Sequence, residues 1–255
     1  MKKTNTLGCG QKAISVVSDK KVRLGMVWTS FILICAALYM AVVWSPDAKG
    51  EPVTYRIIYF HVASAIMSYV GFFIAFVGSI LFLSKGDLRY DRWAKVGADL
   101  GVHFCFLMIV SGMIWGKQRW GAWWLWEPRL TTAMILFITY IGYLILRHVI
   151  EIPMTRARYA AVYGIIAFID VPIVHYAIKI WGSIMHPVVS GGGPDQGLAP
   201  EMMLTLRFSI LAFLVTFGVM YMLRLHVENL EAVLARSKAD SEDCPSAGTV
   251  HCPKT

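Results

Sequence analysis

Six long apolar runs constrain this sequence more than any other feature does. The first, residues 24–44, contains no charged residue, and its length matches a helix that crosses a hydrocarbon core about 30 Å thick. The other runs are residues 57–83, 96–116, 130–146, 159–181 and 202–223. With 57% hydrophobic residues and a mean hydropathy of +0.58, the chain is too apolar for a soluble domain. The sequence therefore predicts an all-α integral membrane protein with six transmembrane helices.

The basic residues are distributed unevenly between the two sides of the predicted membrane. Residues 1–23, 84–95, 147–158 and 224–255 contain 17 lysines and arginines, whereas the alternate loops 45–56, 117–129 and 182–201 contain 5. The positive-inside rule predicts that both termini are cytoplasmic. On this prediction a cytoplasmic tail (1–23), a membrane domain (24–223) and a second cytoplasmic tail (224–255) follow one another. The net charge of +8 then reflects contact with the lipid bilayer and not with nucleic acid.

A tryptophan segment, residues 115–131 with the sequence WGKQRWGAWWLWEPRLT, separates the third and fourth runs on the predicted outer side. It contains five of the nine tryptophans, and Glu127 and Arg129 follow them closely. If the part from Trp120 onward is helical, about 100° of rotation per residue places four indoles on one broad face. These are Trp120, Trp123, Trp124 and Trp126. Such a face suits an aromatic belt at the membrane interface, or a floor on which a large flat ring stacks.

Two histidines are predicted to lie on the same outer side as this segment. His61 is near the first end of the second run, and His186 is in the loop after the fifth. Neutral imidazoles can occupy both axial positions of a haem iron, and guanidinium groups pair with carboxylates such as haem propionates. The candidate arginines are Arg56, Arg129 and Arg207. The alternative for each histidine is an interfacial residue that is hydrogen-bonded to backbone or water.

A second pattern suggests a different function. Asp170, Pro172 and His175 interrupt the fifth run, and an acidic residue inside a span is costly in lipid and often functional. A transporter or channel built around a broken helix is therefore the alternative reading. Against it, the sequence contains no matching broken span in the other half, and about 140° separates Asp170 from His175 on an ideal helix.

The remaining sequence features exclude several other functions. The five cysteines form no CxxC pair, no zinc spacing and no CxxCH motif, so any haem is predicted to be bound non-covalently, as haem b. No nucleophile with a base, phosphate loop or hydrolase metal motif is present, which argues against a conventional enzyme.

Several motifs resemble one protein family. The pattern WGxWWxW followed by an acid and RLT resembles the WWD motif of haem-handling proteins in cytochrome c maturation. The sequences YFHVASA around His61 and WGSIMH before His186 are similar to the CcmC family. The resemblance implies that His61 and His186 are axial haem ligands and that Trp120, Trp123, Trp124 and Trp126 form the platform, with Trp115 as a further haem-binding residue. This sequence differs from the family pattern at Glu127, where the family has an aspartate. The carboxylate of Glu127 lies one methylene further from the backbone.

The same resemblance implies a cellular role. A protein of this family is expected to hold haem at the outer face of the bacterial inner membrane, rather than in a mitochondrial one. It is expected to pass haem to the chaperone CcmE and to work with CcmA, CcmB and CcmD.

Overall fold

The structure is a computed structural model that describes residues 19–48, 53–182 and 198–242. This part of the chain contains helices and no strand. Helix α1 (Lys20–Tyr39) continues into a π-helical turn (Met40–Trp44), and a 3₁₀ turn (Val53–Ile57) leads into α2. The other helices are α2 (Ile58–Lys85), α3 (Leu88–Trp120), α4 (Pro128–Val149), α5 (Pro153–Phe168), α6 (Asp170–Trp181) and α7 (Pro200–Glu242).

Six stretches of these helices are long and apolar enough to cross a membrane. They are Lys20–Trp44, Val53–Lys85, Leu88–Trp120, Pro128–Val149, Pro153–Trp181 and Pro200–Ala235. Each contains one of the six apolar runs, so the prediction of an all-α, six-span membrane protein is confirmed.

Glycines bring α2 and α3 into backbone contact along an antiparallel hairpin. A Cβ added at Gly71 would lie 2.7 Å from the carbonyl oxygen of Gly97 and 2.7 Å from the Cα of Gly101. A Cβ at Gly97 would lie 2.7 Å from the carbonyl oxygen of Gly71. Small residues of this kind allow membrane helices to approach closely without a hydrophobic driving force. The backbone contact between α2 and α3 therefore holds the residues at the two ends of the hairpin in fixed relative positions.

The turn between α2 and α3 closes this hairpin. Gly86 has a φ of 69°, a left-handed conformation that favours glycine, and it ends α2. Asp87 caps α3, because its Oδ1 accepts the backbone N–H of Arg89 at 2.8 Å. This hydrogen bond holds the pKa of the Asp87 carboxyl below its usual range. The two caps explain why the chain reverses within two residues.

A buried ion pair joins α3 to α4 at the end of the bundle where the basic loops lie. Arg147 donates from Nη1 to Asp91 Oδ1 at 2.6 Å and from Nη2 to Asp91 Oδ2 at 2.7 Å. The two side chains are only 6% and 7% exposed. The same Nη1 also donates to the Tyr143 hydroxyl at 3.2 Å. This end of α4 is therefore fixed to the first turn of α3 by charge-assisted hydrogen bonds.

The fifth span is broken where Asp170 and Pro172 predicted an interruption. Helix α5 ends at Phe168 and α6 begins at Asp170, while the backbone N–H of Ile169 donates to the carbonyl of Ile166 at 3.1 Å. Pro172 lies in the first turn of α6, where its missing N–H is tolerated. Helix α1 is the most peripheral element and is tied to α7 by a hydrogen bond from Ser30 to Thr216.

Candidate functional site

His61 lies in the first turn of α2 and is held against α3. Its Nδ1 is 3.1 Å from the hydroxyl oxygen of Ser111, and that hydroxyl donates to the carbonyl of Leu107 at 2.7 Å. Because the single hydroxyl proton is used in this way, the oxygen accepts from Nδ1–H of His61. The contact with Ser111 therefore holds the His61 ring through its Nδ1 atom, as an outer partner orients a histidine ligand.

Two glycines of α3 give aromatic rings room at this end of the bundle. A Cβ added at Gly112 would lie 3.1 Å from His61 Cε1, and one at Gly116 would lie 3.0 Å from Trp120 Cε3. Residues four apart on a helix lie on one face, about 6 Å apart along the axis. The imidazole of His61 and the indole of Trp120 therefore cover neighbouring positions on one face of α3.

Ser111, Gly112 and Gly116 were missed by the sequence analysis. The spacing of the two glycines, four residues apart with Gly116 at the start of the tryptophan segment, was the one available signal. Ser111 has no local signal, because its partner His61 is 50 residues away in the chain.

The prediction of one helical aromatic face from Trp120 to Trp126 is wrong. Helix α3 ends at Trp120, because Gly121 takes a left-handed φ of 76° and Lys117 Nζ donates to its carbonyl at 3.0 Å. Residues 121–127 are irregular, and α4 begins at Pro128 with Glu127 at its N-cap. A left-handed glycine cannot continue a helix, so the four indoles do not share one helix face.

The indoles instead meet edge to face. Trp115 and Trp120 have ring centroids 4.9 Å apart at 75°, and Trp124 and Trp126 have centroids 5.8 Å apart at 77°. Trp126 is 80% exposed and Trp123 is 55% exposed, so part of this aromatic cluster faces outward. Trp115 also packs into an apolar cluster that joins α2 and the start of α7. The segment is thus anchored at Trp115 and open at Trp123 and Trp126.

The three candidate arginines have different surroundings. Arg56 pairs with Asp47 at 3.0 Å. It also donates to the carbonyls of Ala41 and Val42 at 2.9 and 2.6 Å, so its side chain caps the last turn of the first span. The side chain of Arg129, half-buried in the first turn of α4, makes no hydrogen bond or ion pair with the described part of the chain. The same is true of Arg207, which is exposed on α7. Arg129 and Arg207 are therefore better placed than Arg56 to pair with a ligand carboxylate.

His186 lies within residues 183–197, outside the described residues, so its pairing with His61 stays a prediction. The role of Glu127, which is half-buried, also stays a prediction. No group of three or more histidine, cysteine or acidic residues that could hold a metal occurs among the residues described. Cys35 and Cys105 are free thiols.

The residues of the alternative reading are not brought together. Asp170 is half-buried, and its Oδ2 has no hydrogen-bond partner in the described chain. His175 is exposed, with its ring 4.8 Å from that of the neighbouring Tyr176. The break in the fifth span therefore does not build a site around this pair.

Comparison with known proteins decides the family. Residues 8–240 match the family profile described as Heme exporter protein C. The chain belongs to the CcmC family. It is 29% identical to Heme exporter protein C of Escherichia coli over 76% of this chain and 81% of that protein. It is also 29% identical to Heme exporter protein C of Bradyrhizobium diazoefficiens, over 83% of each chain.

A plant protein is also similar. The chain is 30% identical to a putative cytochrome c biosynthesis ccmC-like mitochondrial protein of Marchantia polymorpha, over 66% of this chain and 69% of that protein. The region matched by the CcmC family profile contains every residue that the sequence analysis assigned to the site. The resemblance identified from the motifs is thereby confirmed, and the chain is a multi-pass membrane protein of the CcmC family.

Proposed function

We propose that this protein binds haem non-covalently at the outer end of its helices and delivers it to the chaperone CcmE for c-type cytochrome biogenesis. The observation that carries the proposal is the position of His61. Its Nδ1 is 3.1 Å from the Ser111 hydroxyl and its ring lies over Gly112, so α3 holds the orientation of the ring that we propose as an axial ligand.

The surroundings of His61 suit the rest of a porphyrin. The indole of Trp120 lies one turn of α3 away from the His61 ring. The ring of Trp115 packs against that indole, with 4.9 Å between the ring centroids. Edge-to-face indoles present both ring faces and ring edges, so they can cover an apolar macrocycle from more than one side. Arg129 and Arg207 would pair with the two propionates, and His186 would supply the second axial imidazole.

The proposed function implies a topology and a set of partners. The 17 to 5 distribution of basic residues supports cytoplasmic tails, so the tryptophan segment would face the periplasm of a bacterium. CcmA, CcmB and CcmD would form the complex around the protein, which acts as a transfer component and not as a conventional enzyme. A reporter fused after residue 223 should be cytoplasmic, and a periplasmic signal would contradict this topology.

The decisive experiment separates the aromatic contribution from the iron contribution. Purified variants are titrated with haem and with iron-free protoporphyrin. Replacing Trp120, Trp123, Trp124 and Trp126 together by Ala should weaken both ligands by about tenfold or more, because stacking and burial act on the ring whether or not iron is present. Replacing His61 and His186 by Ala should weaken haem alone, because an imidazole ligates only the iron.

The matched control is Trp93→Ala. Trp93 is 39% exposed and lies near the other end of α3, so its loss should leave both affinities unchanged. The histidine variant could instead lose affinity for haem and protoporphyrin equally, while the tryptophan variant kept its affinity for both. The tryptophan segment would then be an interfacial aromatic belt. The haem-binding proposal would then be wrong.

A second expectation concerns the propionates. Arg129→Leu and Arg207→Leu should each weaken haem binding about tenfold, the usual contribution of a charge-assisted hydrogen bond, without changing the axial-ligand spectrum. Haem dimethyl ester, in which both propionates are blocked, should bind the wild type and these variants equally. Should the ester discriminate between them as haem does, the arginines would act on the structure and not on propionates.

A further inference from the structure

A cavity of about 410 Å³ lies at the end of the bundle opposite to the tryptophan segment. It is lined by the start of α3, the end of α4, the start of α5 and the later part of α7. Basic side chains from three of these helices line it, namely Arg92, Lys95, Arg147, His148 and Arg156. The cavity therefore lies beside the basic loops and is separate from the proposed haem site.

The more buried acidic residues of this cavity already have cationic partners. Asp91 is bound by Arg147, and Glu228 is bound by Lys95 at 2.6 Å and by Arg224 at 3.1 Å. Asp99 lies 3.7 Å from Arg224. Glu231, on the exposed face of α7, is the remaining acid in the lining. Three of the four acids therefore have cationic partners other than Arg156, and none of the four forms an ion pair with Arg156 in the described part of the chain.

Arg156 brings donors to the cavity that the described chain does not satisfy. Its Nε is buried without a hydrogen-bond partner, and its side chain makes no ion pair with the residues described. The Nε of Arg147 is also buried without a partner, although both of its Nη atoms bind Asp91. Both Nε atoms are shielded from the cavity, so the donors that Arg156 can offer to a ligand are its terminal Nη groups, which make no hydrogen bond or ion pair with the described residues.

The start of α5 adds positive potential at the same place. Pro153 is the first helical residue of α5 and lines the cavity, while Ile152 at the N-cap provides no side-chain hydrogen bond. The dipole of α5 therefore adds positive potential close to Arg156, which has no acidic partner among the described residues.

The rest of the lining is apolar. Leu88, Leu144, Ala232 and Ala235 contribute hydrocarbon surface next to the charged groups. Basic pockets between membrane helices on the cytoplasmic side are suited to anionic headgroups whose acyl chains remain in the bilayer. We propose that this cavity binds the phosphate of an anionic phospholipid headgroup from the cytoplasmic leaflet, with Arg156 as its principal contact.

The test compares two arginines two residues apart in α5. Arg156→Gln removes the charge in the cavity, whereas Arg158→Gln removes an exposed charge that does not line it. The full-length protein in detergent is titrated with phosphatidylglycerol and with phosphatidylcholine, and bound lipid is counted by native mass spectrometry. Phosphatidylglycerol affinity should fall about fivefold in Arg156→Gln, the usual effect of one basic residue at an anionic membrane surface, and stay unchanged in Arg158→Gln.

A third variant gives the opposite sign and does not depend on how Arg156→Gln folds. Glu231→Gln removes a repulsive charge and should tighten binding of phosphatidylglycerol but not of phosphatidylcholine. Equal losses in Arg156→Gln and Arg158→Gln would show general surface attraction and overturn the proposal. An unchanged affinity in Glu231→Gln would overturn it as well.

Inorganic phosphate distinguishes the source of the anion. At millimolar concentration it should compete only weakly with phosphatidylglycerol, because it lacks the glycerol and acyl contacts. Free phosphate could instead displace the lipid completely and raise the melting temperature of the protein as much as phosphatidylglycerol does. The site would then belong to a soluble anion, and the lipid proposal would be wrong. None of these readouts depends on haem binding.

Discussion

Replacing Asp91 by Ala is expected to lower the free energy of unfolding by about 3–5 kcal/mol, the usual effect of removing one partner of a buried ion pair. Asp91 accepts two hydrogen bonds from Arg147, and the arginine side chain is only 6% exposed. Without the carboxylate, a buried guanidinium would lack its counterion. The measurement is equilibrium unfolding of the purified protein in mixed micelles with increasing denaturing detergent.

The control removes both charges. The double variant Asp91→Leu with Arg147→Met replaces the pair by apolar side chains and should recover most of the lost stability, because well-packed hydrophobic replacements of buried pairs are often neutral. A double variant as unstable as Asp91→Ala would show that the size and shape of the original side chains are required, and not their charge balance.

Gly71→Ala is expected to have the second large effect, a destabilisation of about 1–3 kcal/mol, as is usual when a methyl group is forced into a packed contact. The new Cβ would lie 2.7 Å from backbone atoms of Gly97 and Gly101, and backbone cannot rotate away as a flexible side chain can. Helices α2 and α3 would have to separate at their crossing. The same shift would move His61 relative to Ser111, so haem affinity should fall together with stability.

Gly218→Ala is the matched control for this variant. Gly218 lies inside α7, and a Cβ there would meet no atom within 4 Å. Alanine has a higher helix propensity than glycine, so this variant should be as stable as the wild type or slightly more stable. If Gly71→Ala behaved in the same way, the close approach of the two backbones would not contribute to the stability of the fold.

The sequence predicted the number and order of the spans well, because each is a long apolar run that only a helix can carry through lipid. It predicted their ends less well. The third run was expected over residues 96–116, whereas α3 begins at Leu88. Asp91, Arg92 and Lys95 continue the helix beyond the apolar run, where their charges are used in contacts with α4 and α7. A search for uncharged apolar runs stops at these charged residues, so it cannot detect the helical turns that contain them.

The site was only partly predictable for a different reason. The motifs identified His61 and the tryptophans as candidate site residues. Their positions, however, are set by contacts between residues that are distant in sequence. Ser111 is one example, and the Arg56 contacts with Asp47, Ala41 and Val42 are another. The end of α3 had a local signal that the prediction of a helical face from Trp120 to Trp126 overlooked, since glycine commonly ends helices and proline commonly starts them, as Gly121 and Pro128 do here.

Helix α7 connects the two ends of the molecule as a single helix. It runs from Pro200 to Glu242 with no later proline, so it forms one continuous rod about 65 Å long. Arg207 lies near its first end, and Glu228, which binds Lys95, lies about 30 Å further along the same axis. A rotation or axial shift that reoriented Arg207 would therefore also strain the Glu228 contacts. Any free energy of coupling between the two ends would be reciprocal, so a ligand in the cavity would alter binding at the proposed haem site as much as haem would alter binding in the cavity.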